Sequence, residues 1–379
     1  MTSIVDATLS CVEVILFGPG YGESILINIG DSKWIVVDSC IGENKKPAAL
    51  NYLESIGGSP LDVILVVATH WHDDHIRGLG DLIEQCSNAD FCCSSVFNSD
   101  EFHSFVLGVN SIGLSEKMTS GVREINKVFQ VMSARSSSAA GNKIYYSAAD
   151  RRIFELEADN FSHGLPVALW TLSPSDDENS RFMKNIGRYL PKEKALPKLA
   201  AEIHPNDTCT VIQVLVGDQL ALLFGADLED RHNGWGNIVA SRGRPKTKSL
   251  LFKVPHHGSI TGNNDLVWDD MLHSEPICIL TPYSKGGKLP QDTDITRILG
   301  KSARSYTSQG FTVLGKVKKR NKFIDEEIAK ISKPIGRTTK SVGRIKVVIN
   351  DLSSTADTML KNAQVTFENG ARHLSTTYH

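Results

Sequence analysis

The stretch LDVILVVATHWHDDH, residues 61–75, limits what this chain can fold into more than any other. Its continuous apolar run, VILVVA, reads as a strand buried on both faces, which calls for a layered structure around a partly parallel sheet. At its C-terminal end the run delivers three histidines and two aspartates within six residues: His70, His72, Asp73, Asp74 and His75. Imidazole nitrogens and carboxylate oxygens are the ligands that Zn2+ and similar divalent ions take. Alternate residues at a strand end point the same way, so His70 and His72 can face one ion. Asp74 and His75, where the chain turns into a helix, can face a second. A lone histidine is usually an ordinary polar residue; this pattern behind a buried strand is not explained that way.

The surrounding sequence fits such a layering. VEVILFG (12–18), SILINIG (24–30) and WIVVDSC (34–40) are short, β-branched and bounded by Gly, Asp or Ser, as strands are. PAALNYLESIGG (47–58) has helical spacing and ends on glycines. HIRGLGDLIEQC follows the histidine cluster as a helix. From 87 to 200 the pattern weakens: EKMTSGVREINKVFQVM (116–132) reads as an amphipathic helix, 134–143 as a polar loop, VALWTLSP (167–174) as a strand and RFMKNIGRYL (181–190) as a helix. Residues 208–228 then give two strands joined at Gly217-Asp218. SLLFKVPHHGS (249–259) and EPICILTP (275–282) add two more, and RIKVVIND (344–351) another. Strands alternating with helices, plus hairpins, predict an α/β (α+β) sandwich.

An apolar fraction of 41% and a charged fraction of 22% allow a sizeable core. No apolar run approaches the roughly 18 residues that span a bilayer. MTSIVDATLS lacks the basic and apolar regions of a secretory signal. Seven cysteines without a CxxC are expected to be reduced and buried. The expectation is a cytoplasmic protein with no membrane partner. The net charge of −2 conceals an asymmetry: residues 301–350 hold 13 Lys or Arg against three acids, and residues 1–300 hold 26 against 37. Such a basic segment can contact polyanions, though a solvated surface is the commoner meaning of a charge run. The expected organisation is one domain over 1–300, elaborated over 87–200, with a basic extension over 301–379 partly packed on it.

Thr69–His75 reads THxHxDH, which resembles the metal signature of metallo-β-lactamase-fold hydrolases. The resemblance demands three more ligands from later strand ends. His204 opens HPNDTCTV, Asp227 ends LALLFGAD, and His256 and His257 lie in FKVPHHGS, in the family's order. The resemblance therefore implies a four-layer αββα sandwich. It implies two divalent metal ions, Zn2+ foremost with Mn2+ the other candidate. His70, His72 and His204 would hold one; Asp74, His75 and His256 or His257 the other, with Asp227 shared. Aligning the family's ending on Val254-Pro255 favours His257 and leaves His256 for substrate contact. Asp38 resembles a supporting aspartate. Asp74, Asp227 and His256 are the catalytic candidates: ions about 3.5–4 Å apart would polarise the substrate, and a bridging hydroxide would attack it.

KVPHHGS is also similar to the metallo-β-lactamase domain of competence-associated ComEC proteins and their soluble relatives, a group associated with nucleic-acid cleavage. One departure is GAD where the family has GD. This likeness implies a phosphodiesterase acting on DNA or RNA. Near the metals, Lys253 and Lys285 are candidates for stabilising phosphate oxygens, though most such lysines are simply solvated, and Ser259 is a candidate phosphate contact or a turn cap. The alternative is a hydrolase of a small phosphoester, cyclic nucleotide or lactone. A non-catalytic binding module is a third reading. A homo-oligomer or a partner encoded by a neighbouring gene stays open.

Overall fold

The computed structural model describes residues 11–18, 21–99, 102, 116–136, 141–187, 204–284, 288–309 and 342–375. Six strands lie in the first half: β1 (Val12–Gly18), β2 (Ser24–Asn28), β3 (Trp34–Val37), β4 (Val63–Ala68), β5 (Asp90–Ser94) and β6 (Ile144–Ser147). Seven follow: β7 (Arg151–Leu156), β8 (Val167–Thr171), β9 (Ile212–Val216), β10 (Leu220–Phe224), β11 (Ser249–Lys253), β12 (Leu272–Leu280) and β13 (Ser305–Thr307). Near the C-terminus come β14 (Gly343–Ile349), β15 (Gln364–Glu368) and β16 (Arg372–His373).

These strands form two eight-stranded sheets, ordered β15-β14-β1-β2-β3-β4-β5-β6 and β16-β13-β12-β11-β10-β9-β8-β7. Each sheet has an antiparallel part and a parallel part. In the first, β3 to β6 run parallel; in the second, β10 to β13 do. Strands from beyond residue 300 thus stand in both sheets, β14 pairing with β1 over seven residues.

Alternation along the strands builds the layers. Val14 and Leu16 enter one core together with Leu222 and Ile279 of the other sheet. Ile15 and Phe17 point the opposite way, to a second core shared with the helices Ala48–Ser55 and Leu79–Gln85. A third core packs Phe252 and Leu280 against Trp235, Trp268 and Ile298 from helices on the far side. Helix, sheet, sheet and helix thus form four layers, each buried aliphatic residue adding roughly 1.5–3 kcal/mol of burial free energy.

Differences from the sequence reading are local. The helix expected over 75–86 is broken, with Gly78 at φ +81 between Asp73–Ile76 and Leu79–Gln85. The long helix runs through Glu116–Ser136, past the expected loop boundary. Within 87–200, β5 and β6 extend the first sheet and β7 begins the second; none of these three was anticipated. β7 is mostly half-exposed, and β5 is a short run between polar turns. The long helix is pressed onto the histidine loop. A Cβ on its Gly121 would lie 2.4 Å from the carbonyl oxygen of Trp71.

Candidate metal centre

The chemistry-bearing residues collect where strands from both sheets end. Asp38 follows β3, His70 to His75 follow β4, Asp227 follows β10, His257 follows β11 and Thr281 follows β12. In parallel sheets the loops at these carboxyl ends converge, which is why residues 219 positions apart in sequence share one site.

Asp74, His75, Asp227 and His257 form a buried group whose ligand atoms all lie within 4.8 Å of one another. His75 Nε2 and His257 Nε2 each stand 3.3 Å from Asp227 Oδ2, and His257 Nε2 stands 3.4 Å from Asp74 Oδ2. Despite this crowding, His75 Nε2, His257 Nε2 and Asp227 Oδ1 have no hydrogen-bond partner. Two ligands of one tetrahedral zinc, each roughly 2.0–2.1 Å from it, stand about 3.3–3.4 Å apart. Buried donors and acceptors without partners are rare in folded chains. The donor set, the spacing and the unpartnered atoms all fit a divalent ion.

His70 and His72 form a pair beside this group. His70 Nε2 lies 3.1 Å from His72 Nδ1, and the His70 and His75 rings are 4.3 Å apart. Burial, with His75 and His72 close by, holds His70 well below the usual imidazole range, so its ring is neutral with a lone pair available. Burial lowers His72 as well. His204, expected to complete this pair's ion site, is exposed and belongs to neither group. It immediately precedes the turn Pro205–Thr208, and its carbonyl accepts from Asp207. Pro205, Asn206 and Thr208 of that turn are buried, and Asn206 Nδ2 donates to Glu229 Oε1 at 3.2 Å.

A second ring of contacts orients these ligands. Asp38 accepts from the backbone and hydroxyl of Thr69, both at 2.7 Å, and faces His75 Nδ1 at 2.7 Å. Carboxylates that grip the outer nitrogen of a ligating histidine fix its tautomer and ring plane. His257 Nδ1 likewise meets the carbonyl and hydroxyl of Thr281, at 3.1 and 3.2 Å. Glu23, Asp38 and His75 also lie close enough to hold an ion. Glu23, however, is paired with Lys253 at 2.8 Å and accepts from Thr281 at 2.5 Å, and Asp38 is occupied as described. That trio is saturated by its own partners.

Electrostatics favour cation binding. Burial opposes ionisation of Asp227, but His257 and His75 outweigh it and hold the carboxyl well below its ordinary range. Asp74 is also lowered: burial opposes this, and the nearby His257 and His75 imidazoles prevail. Both are anions at neutral pH.

The structure describes two of the three expected substrate contacts. Lys253 is fully buried, with its Nζ 2.8 Å from Glu23 Oε1 and 3.6 Å from Asp227 Oδ1. Ser259 is buried and caps its own turn, accepting from Thr261 N at 3.2 Å. Lys285 lies outside the described residues. His256 stands beside the group, not in it, at φ +47 with Nδ1 2.7 Å from the Thr261 hydroxyl. Between the two adjacent histidines it is His257 that joins the buried group. Glu23, Thr281, Tyr21 and Tyr283 were not singled out from sequence. The Tyr283 ring lies 5.2 Å from the His257 ring and 5.9 Å from Tyr21. No local spacing marks them, since they come from two distant loops, between β1 and β2 and after β12. Leu228 and Glu229, which follow Asp227, help line a cavity whose empty volume, open solvent included, is ≈ 400 Å³, together with Arg181, Phe182, Asp207 and Arg231.

Residues 17–100 match the family model of the metallo-beta-lactamase superfamily. No curated protein matches the chain. Among solved structures, the chain is similar to the dizinc quorum-quenching lactonase AidC in complex with its product, at 14% identity over 54% of this chain and 55% of that one, with a TM-score of 0.31. It is similar to the metallo-β-lactamase fold protein YhfI from Bacillus subtilis, at 14% identity over 64% and 70% of the two chains, with a TM-score of 0.33. It is also similar to MEM-A1, a subclass B3 metallo-β-lactamase from a soil metagenome library, at 13% identity over 67% and 80%, with a TM-score of 0.34. The match spans a little over half of the lactonase's own length. The family match over 17–100 and the mixed α/β architecture with two large sheets are consistent with the metallo-β-lactamase sandwich fold.

Proposed function

We propose that this protein is a metal-dependent hydrolase and that its substrate is a phosphodiester, DNA or RNA. The observation that carries the first half is the buried group of Asp74, His75, Asp227 and His257, with three ligand atoms left without hydrogen bonds. Divalent ions bound there, zinc foremost, would supply Lewis acidity and activate water for hydrolysis. His70 and His72, adjoining the group, are the candidates for holding a second ion.

The chain's own residues position and bind. Asp74 and Asp227 supply the negative charge that draws cations into a buried site. Asp38 and Thr281 keep His75 and His257 turned so that their Nε2 atoms face those carboxylates. Burial, then the Asp74 carboxylate, pushes both Tyr21 and Tyr283 up to about 12, so both hydroxyls stay protonated. A protonated phenol beside His257 can donate to an anionic substrate oxygen. Arg77, exposed after the metal loop and 6.0 Å from the Tyr21 ring, adds positive charge on that side. All seven cysteines are buried, which removes them as nucleophiles.

The phosphodiester assignment rests on the likeness of KVPHHGS to the competence-type group and on the basic excess over 301–350. One observation favours a small-molecule substrate instead: the cavity that begins at Leu228 and Glu229, just after Asp227, sets Phe182 and Leu228 beside Arg181, Asn185 and Arg231, a mixed apolar and basic lining. The test is cleavage of single- and double-stranded DNA and RNA by metal-loaded protein, with a His70→Ala/Asp227→Ala control. Cleavage lost in the control supports a nuclease. Two bound ions without cleavage would move the assignment to a small phosphoester or lactone.

A further inference from the structure

Lys253 is the feature that this functional reading leaves unexplained: a charged side chain with no exposed surface, inside a hydrolase site, touching nothing that reacts. Its Nζ reaches three groups. It pairs with Glu23 Oε1 at 2.8 Å, donates to the carbonyl of Ala226 at 2.8 Å and lies 3.6 Å from Asp227 Oδ1. Ala226 is the extra residue of the GAD stretch and sits at φ +46, a left-handed conformation that a residue with a Cβ adopts rarely. The same carbonyl also accepts from His256 N at 3.1 Å. The turn that presents Asp227 is therefore fastened at its strained residue by the lysine.

Glu23 carries the connection onward. It accepts from the Thr281 hydroxyl, and that hydroxyl and its own carbonyl meet His257 Nδ1. Glu23 N donates to the carbonyl of Asp74 at 2.7 Å. One buried chain of contacts thus reaches Asp227 at Oδ1, His257 at Nδ1 and the Asp74 backbone, leaving His257 Nε2 and Asp227 Oδ2 to face each other. Asp227 Oδ2 faces the two histidine Nε2 atoms while Oδ1 faces Lys253.

We propose that Lys253, Glu23 and Thr281 form a positioning strut that holds Asp227 and His257 in their ion-binding orientation, without contacting substrate. The proposal rests on the reading of Asp74, His75, Asp227 and His257 as ion ligands. Its charge logic dictates the experiment. Lys253→Met alone would leave Glu23 as an unbalanced buried anion, and the added negative charge would attract cations while the lost strut released Asp227. Lys253→Met/Glu23→Gln removes both charges together, so the net charge of the site is unchanged and only positioning is lost.

The full-length double variant is titrated with Zn2+ against a chromophoric chelator and with Co2+, whose visible absorption reports ligand geometry. Circular dichroism checks that it folds. Weaker binding by roughly 10–100-fold, with an altered Co2+ spectrum, is expected, as for other groups that orient metal ligands. Thr281→Val keeps shape and charge and serves if the double variant does not fold; a smaller loss and a shifted spectrum are expected. Wild-type affinity and spectrum in the folded double variant, or in Thr281→Val if it alone folds, would overturn the strut. Wild-type protein that takes up no ion would sink the metal reading itself, a distinguishable failure.

Discussion

His75 Nδ1 lies 2.7 Å from Asp38 Oδ2, and its opposite nitrogen faces Asp227 Oδ2 at 3.3 Å. Asp38 sits at φ +59, where Asn is tolerated. Asp38→Asn is therefore expected to fold but to lose the charge that fixes the His75 ring. Metal affinity should fall roughly 10–100-fold, measured by chelator competition. Unchanged affinity would mean that His75 is held by packing alone.

The adjacent histidines should separate cleanly. His257→Ala is expected to lower the metal content measured by elemental analysis, because its Nε2 faces both Asp74 and Asp227. His256→Ala is expected to keep the wild-type content. The reverse result would show that the loop places the other imidazole in the site.

Metal-free protein should respond to pH in a defined way. Burial opposes the charge of His257, but the Asp227 and Asp74 carboxylates outweigh it and raise it from 6.5 to about 9. A raised histidine stabilises fully below its unfolded value and ceases to do so as pH rises through its folded value. The melting temperature of chelator-treated protein is thus expected to fall between pH 6.5 and 9. Ligation needs the neutral ring, so metal uptake strengthens over the same window. Thermal unfolding with and without chelator should show diverging curves; parallel ones would contradict this account.

Glu124 accepts from Gly78 N at 3.0 Å and Gly80 N at 2.9 Å, supplying from another helix the cap that Leu79–Gln85 lacks locally. Glu124→Ala is expected to cost about 1–2 kcal/mol in urea unfolding, the range of a lost cap.

The seven cysteines are buried, and burial pushes the Cys86 and Cys278 thiols up to about 12. Native protein at pH 8 should react negligibly with a disulfide reagent, and unfolded protein should expose all seven. Fast labelling of folded protein would show that the cores open.

Much of this was legible in the residues themselves. VILVVA is apolar throughout because β4 is covered on both faces, and that demand is local enough to read. The same holds for VEVILFG, whose successive residues feed two different cores. His70, His72, Asp74 and His75 announce a metal loop because their spacing lies within one turn of chain. Asp38 was readable as a supporting residue only through its resemblance to the family's aspartate, since a strand ending in a carboxylate is by itself an ordinary turn.

What tertiary structure alone decided is which distant groups meet. His204 and Asn206 are two residues apart, and only the turn between them exposes one and buries the other. Lys253 looked like a substrate contact because a lysine beside two histidines reads as exposed charge. The pairing of β11 between β10 and β12 instead turns it toward Glu23, 230 residues earlier in the chain. Thr281 and Glu23 carry no signature of their own, and their roles exist only because two sheets bring their loops together. Periodicity and ligand type are local properties, and a sequence displays them. Orientation and partnership arise from strand order and packing, which depend on contacts between residues far apart in the chain.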